Sequence, residues 1–260
     1  MGRERARISA EFDRRAATYE ASAMHRWLAQ EAVRLAAPRP HTWVLDVATG
    51  TGLAAREAAA STGGHGRVIG VDLSPGMLHV AVERSPGSCS YALADAHRLP
   101  FGADRFDLVM CVSSLPYLDA RAAVREWGRV ARPGAAIVFT VPTAEGVSVN
   151  RMVCQAARAE GIPLPDPHAE LGTTHRLCEL AGYLGLEVED IQRVVWEGDE
   201  PLRDPGEAWR RTLDYGFGEP LRTADPAARE RARRRFIEQA EGHHPRQDQF
   251  LARLTLPTPA

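Results

Sequence analysis

The stretch Val44-Leu45-Asp46-Val47-Ala48-Thr49-Gly50-Thr51-Gly52 carries an apolar run into an acid and then into a glycine-rich turn. A small-residue segment with helical character, Leu53 to Ala60, follows it. Gly50 and Gly52 have no side chains, so a strand–turn–helix of this composition lets backbone amides come close to a ligand. A second apolar run, Arg67-Val68-Ile69-Gly70-Val71-Asp72, also ends in an acid, and an acid there can accept both hydroxyls of a ribose. The chemistry these residues point to is the binding of a ribose-bearing cofactor.

Two classes of cofactor fit the turn itself. Gly50-Thr51-Gly52-Leu53-Ala54-Ala55 matches the dinucleotide pattern G-x-G-x-x-A, with Asp72 about 20 residues on. Asp46, however, stands four residues ahead of the first glycine. A pyrophosphate would be repelled by an acid there, whereas a cofactor with a cationic amino group would be held by it. A third apolar run, Tyr91 to Ala94, leads into Asp95-Ala96-His97-Arg98-Leu99-Pro100-Phe101. The Asp95 carboxylate can accept from an exocyclic amine and the Ala96 amide can donate to a ring nitrogen, a pairing that suits adenine.

The elements that must position these groups alternate. Residues 9–37 read as helix with an interruption near Tyr19 to Ala23, ending before Pro38. Strands are expected at 42–48, 67–72, 90–94, 106–112 and 136–141, the last ending at Pro142. Helices at about 52–61, 75–85 and 119–131 lie between them. This alternation is the signature of an α/β fold with a parallel, doubly wound sheet. In such sheets the carboxyl ends of the strands form the ligand crevice, and Asp46, Gly50, Asp72 and Asp95 all stand at strand ends. Beyond Pro142 the pattern predicts a helix over 146–161, a Pro-rich loop over 162–172, and a helix over 173–182 capped by Thr173 or Thr174. A long strand over 186–197 and a last strand over 248–256 complete the set. Residues 199–242 are an insertion between those two strands, with helices near 205–215 and 225–241.

The order of these motifs resembles the class I S-adenosylmethionine-dependent methyltransferases, in the branch of the ubiquinone/menaquinone C-methyltransferases. The matching pieces are Val44 to Gly52, Val71-Asp72-Leu73-Ser74-Pro75-Gly76-Met77-Leu78, Asp95 to Phe101, Phe106-Asp107-Leu108-Val109 and Glu126-Trp127-Gly128-Arg129-Val130-Ala131-Arg132-Pro133-Gly134-Ala135. They span about residues 40–142, and Ala48 stands where the family usually has glycine. The resemblance implies a Rossmann-like seven-stranded sheet with helices on both faces and an antiparallel last strand. It implies one domain over 1–260, with an N-terminal helical lid over 1–38, a cofactor-binding core over 40–142 and a helical cap over 199–242. It also implies S-adenosylmethionine as cofactor and S-adenosylhomocysteine as product.

By that resemblance, Gly50, Gly52 and Ala48 bring backbone to the methionyl part and Asp46 serves its amino group. Asp72 takes the ribose hydroxyls, Leu73 and Met77 sandwich the adenine, and Asp95 and Ala96 read its edge. Tyr19 resembles the family's N-terminal tyrosine that closes over the methionyl carboxylate, with His25 and Trp27 in the next turn. Cys111 and Ser113 follow the fourth strand, where the family makes further cofactor contacts. Relatives often carry a His just after that strand, but Ser113-Ser114-Leu115-Pro116-Tyr117 has none. Tyr117 is therefore a candidate for orienting the acceptor, and His168 and His175 are candidates for a base near neutral pH. Trp209, Leu213, Tyr215 and Phe217 in the insertion would either line the acceptor pocket or pack the cap.

Composition narrows the partners. The 260 residues carry a net charge of −2, no lysine, and no basic tail or stripe, which speaks against nucleic acid. The run Arg229 to Arg235 reads as a solvated helix face. No apolar run reaches the roughly 18 residues of a membrane span, and the charged segment Met1 to Glu20 does not read as a signal peptide. Cys89, Cys111, Cys154 and Cys178 lack metal spacing and read as reduced thiols in a cytoplasmic protein. His243 and His244 lack partners for a metal, so no metal site is expected. The expected function is methyl transfer to a small-molecule acceptor, such as a specialised metabolite or a quinone- or polyketide-like compound, by a monomer or homodimer. The alternative is a methyltransferase-fold enzyme of natural-product biosynthesis catalysing a non-methylating step such as cyclisation. An NAD(P)-dependent oxidoreductase is a third, lacking a Ser-Tyr-Lys set because lysine is absent.

Overall fold

The computed structural model describes residues 2–85, 87, 89–214 and 216–258. Two compact units emerge, one formed by Met1–Val141, Leu177–Gln192 and Leu251–Ala260, the other by Pro142–Arg176 and Arg193–Phe250. The expected lid and cofactor core fall in the first, and the expected cap insertion falls in the second.

The chain opens with α1 (Gly2–Arg15), a 3-10 segment (Ala16–Ala21) and α2 (Ala23–Ala36). The interruption expected near Tyr19 is this 3-10 segment, and it ends where Ser22 caps α2 by accepting from the His25 amide at 3.4 Å. The core then alternates: β1 (Trp43–Val47), α3 (Leu53–Ser61), β2 (Arg67–Asp72), α4 (Pro75–Arg84), β3 (Ser90–Leu93), β4 (Phe106–Cys111), α5 (Ala120–Val130) and β5 (Ala131–Val147). Then come α6 (Ser148–Ala159), α7 (Thr174–Leu184), β6 (Glu187–Glu197), α8 (Pro205–Asp214), α9 (Glu219–Thr223), α10 (Pro226–Ala240) and β7 (Arg246–Thr255). The seven strands form one mixed sheet in the order β3-β2-β1-β4-β5-β7-β6, with helices on both faces.

The inner strands are continuous apolar runs because a parallel sheet covered on both faces has no solvent side. Val44, Leu45 and Val47 of β1 are fully buried, as are Val109, Met110 and Cys111 of β4. Parallel pairing puts Asp46 opposite Gly70 and Met110, and Asp72 opposite Leu93. The acids therefore come out at the carboxyl end of the sheet. Helix starts are written locally: Ser74 accepts from the Met77 amide at 3.1 Å with Pro75 at the first turn of α4, and Asp119 accepts from Ala122 at 3.0 Å to start α5.

β5 differs from its expected span. It begins at Ala131, which already pairs with Phe106; Arg132 to Ala135 then bulge out, and pairing resumes between Leu108 and Ala136. Gly134 supplies the positive φ of 76° that the bulge needs. The strand also runs past Pro142 to Val147.

In the second unit, α6, α8, α9 and α10 enclose a core of their own. Trp209 and Phe236 sit there with ring centroids 5.8 Å apart, beside buried Val153, Leu164 and Leu221. Leu213 and Phe217 pack against that core; Tyr215 lies outside the described residues. Trp209 is thus an interior residue of this unit. The arginines of α10 are paired along its face, Arg231 and Arg235 with Glu160 and Arg233 with Glu230.

Candidate functional site

The first unit holds an open cavity at the carboxyl ends of β1, β2 and β3. Its floor is the turn after β1, where Ala48, Gly50 and Gly52 have φ of 54°, 56° and 82°. Ala48 takes the left-handed conformation that glycine takes more easily, at a cost of about 1 kcal/mol. The turn is fastened by Thr49 N to Val71 O and Gly52 N to Thr49 O, both 2.9 Å, and by Gly50 N to Asp72 Oδ2 at 2.8 Å.

The two glycines do different work. A Cβ on Gly50 would point into open space, with Tyr19 Cε1 at 3.9 Å and Met77 Sδ at 4.0 Å as its nearest neighbours. Gly50 lines the cavity; Gly52 does not. A Cβ on Gly52 would run into the Tyr91 hydroxyl, so that glycine serves the packing of α3 on β3.

Asp72 lines the cavity and accepts from Ser74 N through Oδ1 and Gly50 N through Oδ2, each at 2.8 Å. Burial pushes its carboxyl above the ordinary range, and these amides only partly offset that. Asp46 is 1 % exposed and does not line the cavity. Thr49 Oγ1 donates to it at 2.5 Å, yet burial pushes its pKa up to about 7, with the charge of Asp72 acting the same way.

Across the cavity, Asp95 Oδ1 accepts from His97 N at 2.9 Å and from His97 Nδ1 at 2.8 Å, and Arg5 pairs with its other oxygen. Burial alone would raise Asp95, but the His97 hydrogen bonds and the Arg5 charge outweigh it and hold the carboxyl low. Ala96 O accepts from buried Trp127 Nε1 at 3.1 Å, which anchors the loop from beneath. Leu73 and Met77 add an apolar part to the same lining.

The cover comes from the N-terminal helix. Arg5, Ile8 and Phe12 line the cavity, as does Tyr19. The sequence reading did not single out the first three, although their i, i+3, i+7 spacing puts them on one helical face. Ser9 Oγ donates to Leu73 O at 3.0 Å, and Asp13 Oδ1 accepts from Ser74 Oγ at 2.5 Å and Gly76 N at 2.8 Å, which docks α1. The Tyr19 ring stacks on His25 at 4.2 Å and 9° between planes. Burial pushes the His25 pKa down to about 4, so the ring is neutral near pH 7.

After β4 the residue that reaches the cavity is Ser114, one position past Ser113. Ser113 instead donates its amide to Thr140 Oγ1 at 2.8 Å. Cys111 is fully buried in the sheet and its thiol is pushed up by that burial. Tyr117 lines the cavity and meets Phe12 edge-on at 5.4 Å, with Leu118 beside it. His168 and His175 belong to the second unit. His168 lines a smaller cavity there, 3.3 Å from Asn150 Nδ2, with its pKa lowered by burial; His175 is exposed on α7.

The donor set suits S-adenosylmethionine. One buried carboxylate offers oxygens for a vicinal diol and a second offers one for an amine. Apolar Leu73 and Met77 line the same cavity, and the floor is open because Gly50 has no Cβ.

Residues 44–134 match the methyltransferase-domain family. Nocamycin O-methyltransferase of Saccharothrix syringae is 33 % identical over 138 residues, which cover 50 % of this chain and 49 % of that one. The UbiE ubiquinone/menaquinone C-methyltransferase of Shewanella frigidimarina is 33 % identical over 131 residues, 47 % of this chain and 52 % of that one. The chain thus spans about half the length of these curated relatives. Among solved structures, the [4+2]-cyclase SpnF superposes with a TM-score of 0.57 at 18 % identity, covering 90 % of this chain and 82 % of that one. By its ordered motifs and its sheet, the chain carries over residues 44–134 a methyltransferase domain of the class I S-adenosylmethionine-dependent type.

Proposed function

We propose that the protein transfers a methyl group from S-adenosylmethionine to a small-molecule acceptor of the specialised-metabolite, quinone or polyketide kind. The observation that carries this is the union of Asp72, Gly50 and Asp95 in one cavity covered by α1. When bound, the cofactor supplies a methyl group already activated on a sulfonium, so the protein's task is alignment and exclusion of water.

The roles follow from the groups present. Asp72 accepts from the ribose hydroxyls while Gly50 N steadies its carboxylate. Leu73 and Met77 pack on the adenine, whose amine and ring nitrogen meet Asp95 and the Ala96 amide. Tyr19, stacked on neutral His25, closes over the methionyl end. Asp46 acts from beneath the turn through Thr49 rather than by direct contact. Tyr117 orients the acceptor at the mouth, where Phe12 and Leu118 keep the surroundings apolar. Support for a small acceptor comes from this apolar rim and from the net charge of −2, and the relatives that methylate nocamycin and quinone precursors are of that kind.

A second reading is a non-methylating step such as cyclisation, in keeping with the SpnF likeness in fold and the absence of a His in Ser113 to Tyr117. Thermal-shift titration with S-adenosylmethionine, S-adenosylhomocysteine and NAD(H) tests the cofactor. A ligand at about 100 times its dissociation constant adds roughly 2.7 kcal/mol. A response to the two sulfur cofactors alone supports the proposal; a response only to NAD(H) overturns it. Mass spectrometry of products from an acceptor screen then separates methyl transfer, a gain of one CH₂, from rearrangement at constant mass.

A further inference from the structure

His97 joins two walls of the cavity that serve different halves of the proposed reaction. On one side its Nδ1 lies 2.8 Å from Asp95 Oδ1. On the other its Nε2 accepts the Asp119 backbone N–H at 3.1 Å. Asp119 caps α5, and Tyr117 and Leu118, just before it, line the same cavity.

The proton inventory admits one arrangement. A backbone N–H only donates, so Nε2 must carry a lone pair; the proton then sits on Nδ1, aimed at a carboxylate. Both ring nitrogens are committed, and the ring cannot be flipped without losing both bonds. Arg5 takes the other Asp95 oxygen, Oδ2, from an exposed position. Oδ1 therefore belongs to His97, while Oδ2 is the oxygen that exchanges Arg5 for a ligand amine. The loop around Ala96 is anchored through Trp127, so a change at Asp95 passes to His97 more readily than to the backbone beneath it.

We propose that His97 is a positioning residue that transmits occupancy of the adenine subsite to the Tyr117–Asp119 segment, ordering the acceptor wall once the cofactor is in place. This rests on the reading above that Asp95 and Ala96 receive the adenine. The consequence is an ordered site, in which the acceptor wall is held more firmly with cofactor bound.

The test uses S-adenosylhomocysteine as the probe, with hydrogen exchange across residues 114–122 and calorimetric affinities for the wild type, His97→Asn and Asp95→Ala. Asparagine keeps a donor near the Nδ1 position but does not reach Asp119. Expected are slower exchange at Tyr117 to Asp119 on ligand binding in the wild type, by about fivefold, the worth of one net hydrogen bond, and loss of that slowing in His97→Asn with affinity held within about twofold. Wild-type slowing retained in His97→Asn overturns the inference alone. Unchanged affinity in Asp95→Ala overturns the adenine reading beneath it, and the inference with it. Nitrogen-15 NMR of the wild-type imidazole, which needs no variant to fold, must show the proton on Nδ1; a proton on Nε2 overturns the coupling.

Discussion

The Tyr91 hydroxyl occupies the space that a side chain on Gly52 would enter, and the same ring lies 2.7 Å from where a Cβ on Gly70 would stand. One aromatic residue on β3 thus accounts for two glycines, on the turn and on β2. Ser85 Oγ, 2.8 Å from the hydroxyl, holds it in place. Gly52→Ala is expected to destabilise by about 2–4 kcal/mol, from left-handed backbone plus overpacking. Gly50→Ala should cost only about 1 kcal/mol yet weaken S-adenosylhomocysteine binding more. Urea unfolding and calorimetry check both. Tyr91→Phe should recover part of the loss in Gly52→Ala, and no recovery would show that the hydroxyl is not the obstacle.

Asp72→Asn should lower cofactor affinity roughly ten- to hundredfold, since a charged acceptor is exchanged for a neutral one. It should also cost about 1–3 kcal/mol of stability, because Ser74 N and Gly50 N donate to different oxygens and one of them then faces an amide NH2. A variant that binds normally would refute the ribose role.

Asp46 shapes the pH dependence of stability. Its native pKa of about 7 lies above the ordinary 3.8 because burial disfavours the charge. The native state therefore binds the proton more tightly than the unfolded chain, and stability falls as pH rises from about 4 through 7. Asp46→Asn should flatten that decline in urea titrations across this range. An unchanged slope would mean that Asp46 stays ionised.

His25 acts in the opposite direction. Burial lowers its pKa from 6.5 to about 4, so the unfolded chain binds the proton more tightly and stability drops as pH falls from 6.5 toward 4. His25→Phe keeps a ring against Tyr19 and removes the titration. Its stability relative to the wild type should improve steadily through that window, while cofactor affinity at pH 7.5 stays within a fewfold of wild type. A parallel pH course in the two proteins would be evidence against a buried neutral His25.

Local patterns were enough for the alternation from β1 to β5 and for bringing Asp72 and Asp95 out at strand ends, because apolar period acts over a few residues. They failed where a neighbour decides. Cys111 follows the strand alternation inward and Ser114, not Ser113, emerges into the cavity. β5 starts early because β4 offers Ala131 a partner across a bulge. For Trp209 the pattern leaves both the pocket and the cap open, and α6 and α10 close over it.

The sequence by itself determined the class of fold, the cofactor class and the acids that stand at the strand ends. Those follow from short-range spacing of glycine, acid and apolar residues along single strands and turns. Only the tertiary structure decided that α1 covers the cavity with Arg5, Ile8 and Phe12, that Gly52 answers to Tyr91 while Gly50 faces the cavity, and that His97 spans Asp95 and Asp119. Local periodicity can place residues on one face, as it does Arg5, Ile8 and Phe12, but which distant segment that face or group meets is set by packing between segments far apart in the chain.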